Sequence, residues 1–163
     1  MGILNVTPDS FSDGGHYNLM DNALRHCEQM LSDGADFIDI GGCSTRPNNA
    51  IATENEEMER VIPILKAIRK KFPETLISID TFRRNIAKAS IEEGADLIND
   101  ISGGLFDGEM LPYIGENHIP YVMMHCIGTP EPMHQYALGG DIHQTVMDFF
   151  GQQSQILETY GEQ

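Results

Sequence analysis

Polar residues able to hold a small molecule occur at five places in this chain, each at the end of a short apolar run. The run Gly2–Val6 carries Asn5 and opens into Thr7-Pro8-Asp9-Ser10-Phe11-Ser12-Asp13-Gly14-Gly15. Asp36–Ile40 opens into Gly41-Gly42-Cys43-Ser44-Thr45-Arg46-Pro47. Leu76–Ile79 is followed by Asp80-Thr81, Leu97–Asn99 by Asp100, and Ile119–Met124 by His125. An acid at a buried strand end must find donors or bear a heavy desolvation cost, so Asp80 is expected to meet a ligand or an arginine. The amide of Asn99 offers two donors and an acceptor, a match for the edge of a heterocycle. The guanidinium of Arg46 suits a phosphate or a carboxylate. Asn5 equally suits a tie between loops, Met124 a core filler and His125 a core histidine. His16, His26, His118, His134 and His143 show no metal-ligand spacing.

The elements that position these residues follow from periodicity. The runs are almost continuously apolar, which predicts strands buried on both faces of a parallel sheet. Between them lie helical patterns. Leu19, Met20, Ala23, Leu24, Cys27, Met30 and Leu31 share one face, with Asn18 as the expected N-cap and Gly34 closing the far end. A second helix starts at Thr53, with Glu56 completing a capping box. Its expected buried stripe is Met58, Val61, Ile62, Leu65, Ile68 and Phe72, with Pro63 kinking or breaking it. Lys66, Arg69, Lys70 and Lys71 close that helix, where positive charge complements the dipole. Short helices are expected over about 84–93 and 109–116. A longer one is expected over 141–160, with Ile142, Val146, Phe149, Phe150 and Leu157 inward.

Gly34-Ala35-Asp36-Phe37-Ile38-Asp39-Ile40-Gly41-Gly42 is echoed, 60 residues on, by Gly94-Ala95-Asp96-Leu97-Ile98-Asn99-Asp100 and a Gly103-Gly104 exit. That interval spans two β-α units. Five β-α units in succession fit a doubly wound sheet or a barrel. Neither G-x-G-x-x-G after the first strand nor G-x-x-x-x-G-K-[ST] occurs, so the nucleotide-binding open sheets lose ground. In either architecture, ligands bind at the carboxyl ends of the strands, where the polar residues lie.

The 163 residues suit one domain, spanning 1–163, although an α/β barrel ordinarily takes about 250 residues. Ten Lys and Arg against 25 Asp and Glu give a net charge of −15, and residues 89–163 hold no Lys or Arg at all. Such a surface repels nucleic acid and acidic membranes, but local amides, an arginine or a metal still permit a small anionic ligand. No stretch approaches a membrane span. The cysteines Cys27, Cys43 and Cys126 lack paired spacing and the first residues lack a signal-peptide pattern, which together predict reduced thiols and a cytoplasmic location.

Residues 1–15, the segment Asp39–Pro47, Ser78–Thr81, Ile98–Gly104 and Met123–His125 together resemble, in order, the signatures of the dihydropteroate synthases. The resemblance runs over essentially the whole chain. It implies a (β/α)₈ TIM-type barrel, here incomplete at about five β-α units. It also implies condensation of 6-hydroxymethyl-dihydropterin diphosphate with p-aminobenzoate, with release of diphosphate aided by Mg²⁺. It assigns Asn5 to Mg²⁺ or diphosphate, Asp80 and Asn99 to the pterin edge, and Met124 to the pterin face. The loops carrying Phe11 and Asp13, and Thr45, Arg46 and Pro47, are assigned to the p-aminobenzoate side, with Arg46 facing the diphosphate. Cys43 stands where many bacterial members have Glu, a form similar to fungal members, in which the domain belongs to a multifunctional, sometimes mitochondrial polypeptide. A homodimer is the other implied assembly. The family's later Asp-Pro-Gly, Ser-Arg-Lys and Arg-x-His motifs are missing, which implies a fragment inactive by itself. A methyltetrahydrofolate-binding methyltransferase domain and a non-catalytic pterin-binding piece are the competing expectations.

Overall fold

The computed structural model describes residues 1–7, 15–43, 51–126 and 141–161, of which residues 15–18 are described in backbone only. Five strands alternate with five helices. They are β1 (Gly2–Asn5), α1 (Gly15–Ser32), β2 (Phe37–Gly41), α2 (Glu54–Lys71), β3 (Leu76–Asp80), α3 (Arg84–Glu92), β4 (Leu97–Asp100), α4 (Met110–Glu116), β5 (Tyr121–Met123) and α5 (Ile142–Tyr160). The strands form one sheet in the order β1-β2-β3-β4-β5, and every pairing is parallel. A doubly wound sheet reverses its strand order at a switch point, whereas a barrel adds each new strand on the same side. The unbroken order therefore makes this sheet a segment of a (β/α) barrel.

Register decides which side chains share a face. Leu4, Ile40, Ile79, Ile98 and Tyr121 lie on one row, with Ile38 and Ile77 on the row two residues earlier. Successive strand residues point to opposite faces, so these rows face the same way. They are buried against Ala23 and Cys27 of α1, Val61, Ile64, Leu65 and Ile68 of α2, Ile86 and Ala87 of α3, and Met110 and Ile114 of α4. The opposite face meets the expectation of strands buried on both sides at Asp39, Ser78 and Leu97, which are buried, and departs from it elsewhere. There Ile3 is 62% exposed, and Leu76 and Val122 are also exposed. Among the described residues, the helices cover one face of the sheet.

Two turns reproduce the echo seen in the sequence. Gly34 and Gly94 both adopt φ +95°. Gly34 N donates to Leu31 O (3.1 Å) and Ala35 N to Met30 O (2.9 Å); Gly94 N donates to Ile91 O (3.0 Å) and Ala95 N to Ser90 O (2.9 Å). These are paired Schellman closures, each returning the chain into a strand. Arg69 fastens the second one, donating to Gly94 O, Pro73 O and Thr75 O and pairing with Asp96, which also accepts from Ile77 N. The basic end of α2 thus ties the lower ends of β3 and β4 together, beyond any complement to the dipole.

The Thr53–Glu56 capping box is present. Three expectations need correction. First, α1 begins at Gly15, so Asn18 lies inside the helix rather than capping it. Second, α2 runs unbroken through Pro63. Pro63 and Glu59 are both exposed, so the carbonyl that loses its N–H partner can bond to solvent, and Ile64 takes the buried place. Third, Ile142 is 55% exposed. The buried anchor of α5 is instead Gln153, whose Nε2 donates to Gly103 O at 2.6 Å.

We predict that Gly34→Ala and Gly94→Ala each destabilise the protein by about 1–2 kcal/mol, because an L side chain is strained at this positive φ. The neighbouring atoms leave room for the added methyl at both positions. Urea melts of the two variants should therefore agree to within about 0.5 kcal/mol. A negligible cost at either turn would refute the shared geometry.

Candidate functional site

The strand tips align on one register row. Asn5 pairs with Gly41, Gly41 with Asp80, Asp80 with Asn99, and Asn99 with Val122. A shared row means a shared face, so Asn5, Asp80 and Asn99 all rise from the face that the helices leave uncovered. Asn5 is exposed, and Asp80 and Asn99 are half-buried. Glycine at position 41 keeps the row open. A methyl group there would lie 3.3 Å from Asp80 Oδ2 and 3.4 Å from Asn5 Oδ1. Two side-chain oxygens therefore flank the same gap. Met124 follows β5 two residues beyond Val122, is 41% exposed, and donates its N–H to Asp100 O at 3.2 Å. Phe11, Asp13, Thr45, Arg46 and Pro47 lie outside the described residues.

The row beneath is polar at its two central positions, where an apolar barrel interior was expected. Ile3, Asp39, Ser78 and Leu97 form it. Asp39 and Ser78 are buried, and Asn99 Nδ2 donates to Asp39 Oδ2 at 3.2 Å. Asp39 Oδ1 and Ser78 Oγ have no hydrogen-bond partner. Asp39 was missed in the sequence because it sits inside an apolar run, two residues before the glycines that mark the exit.

Among the described residues, the charges acting on Asp80 are negative. Its carboxyl is pushed up to about 7, first by burial and then by Asp39, Glu57 and Asp100. The arginine partner expected for it is not among these neighbours. Asp100 itself is structural: it is buried and accepts from Ser102 N, Gly104 N and Tyr121 Oη at 2.7, 2.9 and 2.6 Å. These bonds fix the exit of β4 beside Asn99. His125 stacks edge-on against Phe149 with ring centroids 4.9 Å apart, the packing role allowed for it.

A buried ion pair braces the exits of β2 and β3. Glu57 of α2 is fully buried and accepts from Arg83 Nη1, while Arg83 Nη2 donates to Ala52 O at 2.5 Å. Burial raises the Glu57 carboxyl, against the lowering effect of Thr81 and Arg83. Gly42 packs so closely on α2 that a methyl group there would come within 2.6 Å of Val61 Cγ2, and Arg60 donates to Gly42 O at 3.0 Å. Burial likewise raises the Cys43 thiol. Glu57 escaped notice in the sequence because an acid in the first turn of a helix ordinarily just complements the dipole.

Among the described residues no group of three or more His, Cys, Asp or Glu is arranged to hold a metal. Mg²⁺ seldom needs such a cage; it takes one or two protein oxygens and completes its shell with water and phosphate. Asn5 Oδ1, exposed beside the gap at Gly41, fits that smaller requirement. No helix among the described residues is long and apolar enough to cross a membrane.

We predict that Arg83→Met costs about 3–5 kcal/mol by stranding a buried carboxylate, and that Glu57→Leu in the same molecule recovers most of the loss. Additive costs in urea melts would contradict the pairing. A second expectation concerns pH. The folded-state pKa of Asp80 exceeds the ordinary carboxyl value, so its stabilising contribution is complete at low pH and is lost as pH rises through about 7. In metal-free buffer, Asp80→Asn should gain on the wild type by about 1–3 kcal/mol between pH 4 and pH 8. A constant difference across that range would remove the pKa shift.

A family model described as pterin binding enzyme matches residues 1–163. A dihydropteroate synthase of Streptococcus pyogenes serotype M1 is 46% identical over 155 residues, covering 95% of this chain and 55% of that protein. A crystal structure of dihydropteroate synthase from Clostridium difficile, in the presence of pteroic acid, superposes with a TM-score of 0.90 at 37% identity, covering 99% of this chain and 59% of that one. A sulfonamide drug complex of the Yersinia pestis enzyme superposes at 0.87 with 41% identity, covering 99% and 58%. The chain thus spans somewhat more than half the length of the proteins it matches.

Proposed function

This chain belongs to the family of pterin-binding enzymes, and on that premise we propose that it forms the first part of one dihydropteroate synthase barrel domain. The whole protein would join 6-hydroxymethyl-dihydropterin diphosphate to p-aminobenzoate in folate synthesis. The observation that carries this reading is the row Asn5–Gly41–Asp80–Asn99, with its surplus of acceptor oxygens around a gap with no side chain. A pterin presents ring N–H and amino donors along one edge. Such an edge suits a floor whose described charged neighbours are the carboxylates of Asp39, Glu57 and Asp100.

The chain's own groups then divide the work. Asp80 and Asn99 bind and orient the pterin edge, and Met124 lies against its face. Holding the two substrates together removes much of the entropic barrier to attack by a weak arylamine nucleophile. Asn5 would hold Mg²⁺ through Oδ1, and the bound ion supplies charge neutralisation to the departing diphosphate. Phe11, Asp13, Thr45, Arg46 and Pro47 take the p-aminobenzoate and diphosphate side by resemblance to the family. The sulfonamide complex of the Yersinia pestis relative supports a p-aminobenzoate site of this kind.

The test uses the full-length protein. It should convert pterin diphosphate and p-aminobenzoate to dihydropteroate and diphosphate, and should bind sulfonamides only when pterin diphosphate is present. Asp80→Ala should weaken pterin binding by about 2–4 kcal/mol, since buried donors lose their acceptor. Unchanged pterin affinity removes Asp80 from the site. Residues 1–163 alone should show no turnover, because the sheet face carrying Ile3 and Val122 is left uncovered. Steady turnover by the isolated chain would overturn that expectation.

A further inference from the structure

We propose that Asp39 is a positioning residue for the ligand site, fixing the side-chain amide of Asn99 so that its carbonyl oxygen faces the bound heterocycle. The proposal deepens the pterin reading and rests on it for the nature of the ligand.

Asp39 is only 4% exposed and lies one row below Asn5, Gly41, Asp80 and Asn99. An ordinary barrel strand would place an apolar residue there. A buried carboxylate is retained against its desolvation cost only where something needs it. One oxygen of Asp39, Oδ2, accepts from Asn99 Nδ2 at 3.2 Å. The other, Oδ1, is buried without a donor. The carboxylate is therefore not spent on the scaffold. Its hydrogen bond goes to a side chain of the site, and its second oxygen still has acceptor capacity.

The chemistry fixes an otherwise two-fold choice. The terminal torsion of asparagine is broad and roughly two-fold, so an amide in a half-open site can present either its NH₂ or its oxygen. A carboxylate only accepts, so the group facing Asp39 has to be the NH₂. Flipping the amide would set oxygen against oxygen. Asn99 Oδ1 is thereby directed away from Asp39 and is free to accept an N–H from a ligand. With the Asp80 carboxyl and Asn5 Oδ1 on the same row, the floor becomes consistently acceptor-bearing. Without Asp39, the amide could turn and offer a donor where the ligand also has one.

The sequence echo shows how the pair arose in space. In the alignment of Gly34–Gly42 with Gly94–Gly104, Asp39 occupies the position equivalent to Asn99. The sheet offsets the two copies by one level: Asp39 registers with Ser78, and Asn99 with Asp80. Equivalent residues of the two copies thus meet diagonally across β3, between the levels of Ser78 and Asp80.

The experiment follows both the amide and the ligand in the full-length protein, with pteroic acid as the probe. By NMR, the Asn99 side-chain amide protons should exchange with solvent slowly in the wild type and at least about tenfold faster in Asp39→Ala. For binding, Asn99→Asp should lose about 30-fold or more in affinity because two carboxylates then oppose each other. The exchanged pair Asp39→Asn with Asn99→Asp restores a donor facing an acceptor and should bind within about fivefold of wild type. That recovery is specific to the pair, whereas a merely structural Asp39 would give no recovery over Asn99→Asp alone. Thermal unfolding of each variant checks folding, and the exchanged pair against Asn99→Asp decides the matter if Asp39→Ala does not fold. Equal amide exchange in wild type and Asp39→Ala, or no recovery in the exchanged pair, overturns the proposal. Slow wild-type exchange without pteroic acid binding supports the orientation and removes the pterin reading instead.

Discussion

The parallel ladder carries one constraint on which the rest depends: residues on a common row must face the same way. Three pairings place Asn5, Gly41, Asp80 and Asn99 on one row. A slip of one residue in any strand would turn that strand's polar tip into the helix-covered core and its isoleucines outward. Burial of Leu4, Ile38, Ile40, Ile77, Ile79 and Ile98 under the helices therefore fixes the register, and the register in turn assembles the site. The apolar face and the polar face are two results of the same alternation. Stability and ligand binding are coupled through it, because the residues that hold the register are not those that touch the ligand.

The surroundings of the row reinforce its position without contributing to its surface. Asp100 gathers three donors and fixes the exit of β4. The Glu57–Arg83 pair links α2 to the start of α3, and Arg83 reaches back to Ala52 O. Arg69 closes the opposite end of the sheet. Charged groups in these places are paired with or hydrogen-bonded to the scaffold, whereas the bond of Asp39 goes to the side chain of Asn99 and the described charges acting on Asp80 are carboxylates. That difference separates residues held for architecture from residues held for a ligand.

Much of this was legible in the sequence. Asn5, Asp80 and Asn99 end their apolar runs, and parallel α/β architecture places such ends together. The Gly-Ala-Asp echo predicted two like turns, and both glycines adopt the same positive φ. Thr53 and Glu56 announced their capping box because its chemistry is local. What escaped depends on contacts between distant elements. Pro63 could be placed on the solvent side only once the rotation of α2 about its axis was known. Asp39 reads as part of an apolar run until the register puts it beneath Asn99. Glu57 reads as an ordinary first-turn acid until Arg83 arrives from another strand's exit. The exposure of Ile3 and Val122 likewise reflects which face the helices cover, a property of the assembled sheet rather than of any segment.

The central claim is that the strand-tip row is the floor of one pterin site, and a crystal structure of the full-length protein with pteroic acid tests it most directly. The account predicts the pterin ring over Gly41, with its donor edge at hydrogen-bonding distance, about 2.7–3.2 Å, from Asp80 and from the oxygen of Asn99. Pteroic acid bound elsewhere, or a ring whose edge touches neither residue, would contradict it.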